Sequence, residues 1–264
     1  MDWNKTKTIF IIVFLILDVF LLSQLVKKNT ASQYLPKKDA SIEEQLKEAG
    51  ITYDALPQDK EKEKHYLLSV KTKKFSKEEL DELDGQDAII VNDTKISSTL
   101  DEPYKLGTDF DPEVLDSFVE DNIIGGEKYQ FWRYNKESKK ITYAQKFKDK
   151  VIFENVNGEL TFYLNDKNEV VSYEQTMLDS IDEYNKEQII SSIQAVGTLF
   201  NKGMLRLDSK ITNVELGYYT LVQTPESQVL TPTWHVVVNQ GSKKDNLFVN
   251  AFEGSVITIN KKLE

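Results

Sequence analysis

The sequence contains no cysteine and only two histidines, His65 and His235. The first absence excludes disulfide frameworks, thiol nucleophiles, thiolate metal sites and the lipid-bearing cysteine of a bacterial lipoprotein. The second rules out a His-rich metal centre and confines any Ser-His pair to one of two positions. Positive charge is short as well: 33 Lys and Arg stand against 43 Asp and Glu, a net charge of −10. A chain this acidic has no general electrostatic reason to bind nucleic acid. No G-x-S-x-G, P-loop, G-x-G-x-x-G or H-E-x-x-H pattern occurs, so the familiar nucleophile, phosphate and zinc devices are missing. His65 follows the charged run DKEKEK and His235 stands beside Trp234 in an apolar run, and both read as structural. Carboxylates such as Asp179, Asp182 and Glu183 are near one another in sequence, but a glycosidase dyad must flank a bound sugar at a set separation. No enzyme activity, cofactor or metal is expected.

What the chain does have is one long apolar run. Ile9 to Val26 reads IFIIVFLILDVFLLSQLV, with only Asp18, Ser23 and Gln24 polar. As a helix it spans roughly 27 Å, close to the hydrocarbon thickness of a bilayer. Its apolar residues, at about −0.3 to −0.6 kcal/mol each, outweigh one Asp at about +2.5 to +3.5 kcal/mol. The run exceeds a signal-peptide core and no small-x-small site closes it before Lys27 and Lys28, so an uncleaved anchor is expected. Lysines flank both ends, and charge counting leaves the orientation undecided. Without residues 1–28 the chain carries 29 basic and 41 acidic residues, a net charge of −12, unsuited to lying on an anionic leaflet.

Asp18 sits near the middle of this span, with Phe14, Leu15, Leu21, Leu22 and Leu25 on its face by helical spacing. Two readings stand: a protonated Asp tolerated within one long apolar helix, or a contact with another helix through that face. The span has no glycine, so a close-packed GxxxG pair is unavailable.

Residues 27–40 read as a linker, and the rest as α+β, with helices packed on antiparallel sheets. Capping boxes start helices at Ser41 with Glu44 and at Ser76 with Glu79, and Gly50 and Gly85 stop them. Asp111 followed by Pro112 opens another, with Val114, Leu115, Phe118 and Val119 as its stripe. The runs EKYQFWRYN, KKITYAQKF, VIFE, ELTFYLN and NEVVSYE then form a meander. Asn185 is expected to cap a second helix through Phe200, followed by a second set of strands. Helix plus meander, twice, suggests two related lobes, 41–178 and 179–264. Strict alternation on the aromatic strand places Tyr129, Phe131 and Arg133 on one face and Trp132 and Tyr134 on the other. These residues are either core with scattered exposed rings, or a protein-contact face.

The opening MDWNKTKTIFIIVFLILDVFLLSQ resembles the YycI (WalI) proteins of Gram-positive bacteria, which belong with YycH to one family. The likeness extends over the chain in layout: a short tail at 1–8, one span at 9–26, a linker and a strand-rich end. Pro232 to Val256 is also similar to the closing strands of PepSY-type modules. The resemblance implies a non-enzymatic regulator in the cell membrane, N-terminus cytoplasmic and main domain outside. It implies association with YycH and with the WalK (YycG) sensor histidine kinase controlling cell-wall metabolism, with the transmembrane helices in contact. The competing expectation is an exterior PepSY-like binder or inhibitor of a cell-wall enzyme.

Overall fold

The computed structural model describes residues 3, 7, 13–15, 17–18, 20–22, 40–57, 64–107, 110–223, 227–241 and 243–258. They fall into two compact units, Met1–Gln45 and Leu46–Glu264. In the first unit the described residues between positions 3 and 22 are helical and exposed. Among the described residues, no helix is long and apolar enough to cross a membrane. Much of the expected span at 9–26, including Leu25, lies outside the described residues.

Helix α1 (Ile42–Glu48) begins as expected: Ser41 N–H donates to Glu44 Oε2 at 3.0 Å and Glu44 N–H to Ser41 Oγ at 3.2 Å. The short β1 (Thr52–Tyr53) and long β2 (Lys64–Thr72) follow, then α2 (Lys77–Leu80) with a complete capping box at Ser76. Strands β3 (Gln86–Val91) and β4 (Lys95–Lys105) form a hairpin through left-handed Asn92 and Asp93. Helix α3 (Pro112–Asn122) is capped by Asp111, whose side chain accepts from Glu113 N–H, and buries Leu115 and Val119. Val114, expected on the same stripe, is 39% exposed.

The meander after α3 comprises β5 (Tyr129–Asn135), β6 (Lys140–Phe147), β7 (Lys150–Phe153), β8 (Glu159–Leu164) and β9 (Glu169–Thr176). In β8 the alternation is complete, with Leu160, Phe162 and Leu164 buried and Glu159, Thr161 and Tyr163 partly exposed. Next comes β10 (Leu178–Gln188), then α4 (Ser192–Asn201). The final strands are β11 (Lys210–Gln223), β12 (Gln228–Gln240), β13 (Lys243–Asn250) and β14 (Val256–Ile257).

The α4 boundary corrects an expectation. Asn185 caps no helix; it lies in β10 at φ 45°, its Nδ2 donating to Glu187 Oε1. Residues 178–188 pair instead with β2, from Leu178↔Thr72 to Gln188↔Lys64. Ile190 is held extended by its N–H bond to Ala251 O and by Trp234 Nε1–H donating to its carbonyl. The helix waits for Ser191, which makes a capping box with Gln194. Pairing with β2 satisfies the backbone of 178–188, and this tertiary ladder overrides the local helix-start signal at Asn185.

The strands join into one sheet in the order β10-β2-β12-β11-β7-β6-β8-β9-β4-β3, with β1, β5, β13 and β14 branching off. All pairings are antiparallel except β11 with β1 and with β7. One core lies beneath β4, β6, β8 and β9 and includes Leu115, Ile141, Phe162 and Tyr173. A second gathers Leu68, Ile152, Tyr218 and Leu230, and a third Ala144, Val151, Phe153 and Phe248. β6 carries residues for the first and third cores on its two faces, which is why Ile141 to Gln145 are all buried.

Burial holds the Tyr129 and Tyr143 phenols well above their ordinary value, Tyr143 being raised further by its hydrogen bond to Asp116. Burial also pushes Tyr173 and Tyr218 up to about 12. As pH rises the unfolded chain therefore loses these protons first, so stability is full below about pH 10 and declines above it. Urea-unfolding midpoints should be level from about pH 7 to 9 and lower by about pH 11; a level profile throughout contradicts the tyrosine argument.

Candidate functional site

The aromatic strand β5 does not alternate as its sequence predicts. A register shift against β6 between Phe131 and Arg133 inserts an extra residue, and such a bulge re-aims every side chain beyond it. Tyr129, Phe131 and Tyr134 consequently all pack against the first core. Tyr129 is buried, its hydroxyl donating to Thr176 O at 2.5 Å and accepting from Gln175 Nε2 at 3.3 Å. Phe131 and Tyr134 are half-buried against Phe110, with ring centroids 5.6 and 4.9 Å away. Trp132 turns to the third core, 5.4 Å from Phe153 and 5.0 Å from His235. Arg133 stays exposed. The two faces expected from strict alternation are thus regrouped: Tyr134 joins Tyr129 and Phe131, while Trp132 and Arg133 share one partner.

Glu154 is what couples them. Its Oε1 accepts from Trp132 Nε1–H at 3.2 Å, and both its oxygens accept from one Arg133 guanidinium nitrogen at 3.1 Å. The residue is left-handed, φ 47°, a conformation uncommon without glycine. It turns the chain at the end of β7 and brings the carboxylate back over β5.

Beneath Trp132 lies an enclosed ring cluster. His235 stacks on Phe248 at 4.8 Å and 14°, and Phe153 lies 5.1 Å from the imidazole. The ring is 3% exposed. His235 Nδ1 faces Glu215 Oε1 at 2.8 Å and Nε2 faces Asn246 Oδ1 at 2.9 Å. With both nitrogens engaged, neither is placed to take a proton from a hydroxyl nucleophile. Gly217 makes room for the cluster: a Cβ there would collide with Val151 O and with the Phe153 ring.

A small pocket of about 240 Å³ opens beside Glu154, lined by Glu154, Asn155, Val156, Tyr219, Thr220 and Leu221. Asn155 Nδ2 donates to Thr220 Oγ1 and Gln228 Oε1, both at 2.8 Å. Val156 and Leu221 on its rim are 67% and 50% exposed. Among the described residues no group of three or more His, Asp or Glu side chains could hold a metal ion. The carboxylates Asp179, Asp182 and Glu183 lie along exposed β10, where Glu183 pairs with Lys148 at 2.7 Å.

Of the helix face expected around Asp18, the described members are Phe14, Leu15, Asp18, Leu21 and Leu22, all helical and exposed. Val13 and Leu17, off that face, are exposed too, and the described apolar residues from 13 to 22 range from 48% to 67% exposed. The segment is apolar around its circumference, the pattern of a helix that meets lipid or other apolar helices.

Sequence reasoning missed Glu154, Glu215, Asn246 and Gly217. A glycine inside the β-branched and aromatic run of β11 was the one available signal, since it marks close approach of another element.

The fold is α+β, mostly sheet with few helices. A family model described as YycI protein matches residues 29–252, and the chain belongs to the YycI family. The family is one of regulators tied to the WalK (YycG) histidine-kinase pathway of two-component signalling, and not of known enzymes. No curated protein matches the chain. Among solved structures, an uncharacterized protein from Eubacterium rectale is 12% identical over 74% of this chain and 86% of its own, with a TM-score of 0.39. The YpeB C-terminal domain of Bacillus megaterium is 12% identical over 76% and 89%, with a TM-score of 0.41. Both scores are too low to define a common fold.

Gly217→Ala should force Phe153 or the β7 backbone to move, a loss of about 1–3 kcal/mol. Urea unfolding measures it directly, and a change within about 0.5 kcal/mol would show that the Phe153 ring has room to spare.

Proposed function

We propose that the chain is a single-pass membrane regulator, with residues 1–8 cytoplasmic, 9–26 crossing the bilayer, 27–40 as linker and the folded region outside. Within that region, residues 41–178 and 179–264 act as two related helix-plus-meander lobes. Acting with YycH, the chain modulates the WalK (YycG) sensor kinase through helix contacts inside the membrane and through contacts of the exterior region. The observation that carries this reading is the apolar helix with a single carboxyl, Asp18, set among exposed Phe14, Leu15, Leu21 and Leu22. An ionisable group at the middle of a span is retained where it meets protein or water and not lipid. By sequence spacing, Leu25 would fall on the same face.

Physically, pairing of exterior regions raises the effective concentration of two spans beside the kinase, to the order of mM for short connections. Helix contacts that differ between two kinase states then shift their populations by the difference in contact free energy. The Trp132–Arg133–Glu154 surface supports the exterior part of this reading, because a preformed aromatic and arginine contact loses little entropy on binding.

Replacing residues 9–26 with an unrelated transmembrane helix should abolish regulation while leaving the exterior region folded. A photo-crosslinking residue at Phe14 should capture the kinase or YycH in intact membranes. Full regulation by the chimera, or capture of lipid alone from position 14, would make the span a tether and move the activity to the exterior region.

A further inference from the structure

The pocket beside Glu154 lies where two parallel strands part. β7 and β11 pair at Tyr218↔Ile152 and Tyr219↔Phe153 and no further. On one side the chain leaves through Glu154, left-handed at φ 47°. On the other, β11 is bulged against β12 between Thr220 and Val222, at Leu221. Where parallel strands diverge at their carboxyl ends they leave a crevice, because groups that would face a neighbouring strand face open space instead. This crevice is braced open from within. Asn155 is 5% exposed; its Nδ2 donates to Thr220 Oγ1 and Gln228 Oε1, both at 2.8 Å, and its Oδ1 accepts from Asn157 N–H at 2.9 Å. The space therefore exists before any ligand arrives, and little ordering is needed to fill it.

The groups on its walls select a chemistry. Thr220 Oγ1 accepts from Asn155, and among the described residues no acceptor takes the hydroxyl proton of Thr220 or of Tyr219, so both can donate to a ligand. Burial, and after it the charge of Glu154, holds the Tyr219 hydroxyl above its ordinary value, so it keeps that proton. Glu154 offers carboxylate oxygens with lone pairs beyond those given to Trp132 and Arg133. Val156 and Leu221, 67% and 50% exposed, add apolar surface at the mouth. An anion would meet the Glu154 charge in a chain already at −10. A cation would compete with Arg133 for the same carboxylate, and a wholly apolar molecule would leave the hydroxyls unpaired. A pyranose ring meets none of these objections, since its hydroxyls both donate and accept and its C–H faces are apolar. We propose that this fork binds one ring of a neutral saccharide, with hydroxyls on Glu154, Tyr219 and Thr220 and a C–H face against Val156 and Leu221. A pocket of about 240 Å³ has room for one such ring. The site is separate from the membrane span and stands or falls independently of the kinase reading.

The test uses the full-length chain in a detergent without a sugar headgroup, with isotope-labelled valine and leucine methyl groups read by NMR. Titration with glucose, N-acetylglucosamine and the trisaccharide of each should move the Val156 and Leu221 signals with at least one of them, at a Kd of about 10 mM or tighter. Exposed Leu207 should stay in place. The acid glucuronate should bind at least about tenfold more weakly than the best neutral sugar. Tyr219→Phe, which removes one hydroxyl from a half-buried ring, should weaken that binding about fivefold at an unchanged urea midpoint. Val156→Trp, at an exposed position, should block the mouth and abolish the Leu221 shift. Silence from every neutral sugar at about 20 mM overturns the proposal. Glucuronate binding as tightly as the neutral sugars, undiminished binding by both variants, or larger shifts from the dipeptide Ala-Ala overturns it equally.

Discussion

Phe153 occupies its position because residue 217 has no side chain. The ring lies over the backbone of β11 where a Cβ at 217 would stand, and the adjacent parallel pairing of Tyr218 with Ile152 and Tyr219 with Phe153 joins β7 to β11. That pairing connects two sets of strands that are antiparallel apart from the short β1 on β11. Once Phe153 is seated, the rings of His235, Phe248 and Trp132 pack about it at 5.1–5.4 Å, with His235 5.0 Å from Trp132 and 4.8 Å from Phe248. The left-handed turn at Glu154 follows immediately and brings its carboxylate to Trp132 and Arg133. A buried close approach of backbone and ring thus sets the geometry of a surface several side chains away.

The same arrangement explains why the histidine of this cluster belongs to structure. A catalytic imidazole needs one nitrogen directed at the reacting proton and the other at an orienting group. Here Glu215 and Asn246 take both, and aromatic rings cover the faces. The outcome is a satisfied, buried network beneath Trp132 and Arg133.

Much of the fold was legible because its signals are local. The capping boxes at Ser41 and Ser76 and the Asp111-Pro112 start place helices where they occur. The runs from Glu159 to Thr176 show the alternation of strands with one buried face. The errors arise where distant pairing competes with local preference. Residues 178–188 carry helix-compatible composition, yet β2 offers them a ladder, and the helix starts six residues later at a better cap. On β5 a single bulge moved Tyr134 to the core side and set Arg133 beside Trp132 on Glu154, which no period-two count can foresee.

The sequence by itself determined the chemistry available: no thiol, two histidines, an acidic region beyond residue 28 and one long apolar run. These follow from composition and contiguity and are independent of folding. The tertiary structure alone decided which residues cooperate, joining Arg133 to Glu154 and His235 to Glu215 and Asn246 from one strand to another. Such matters depend on register and strand order, which are set by long-range burial and are not encoded in any short segment.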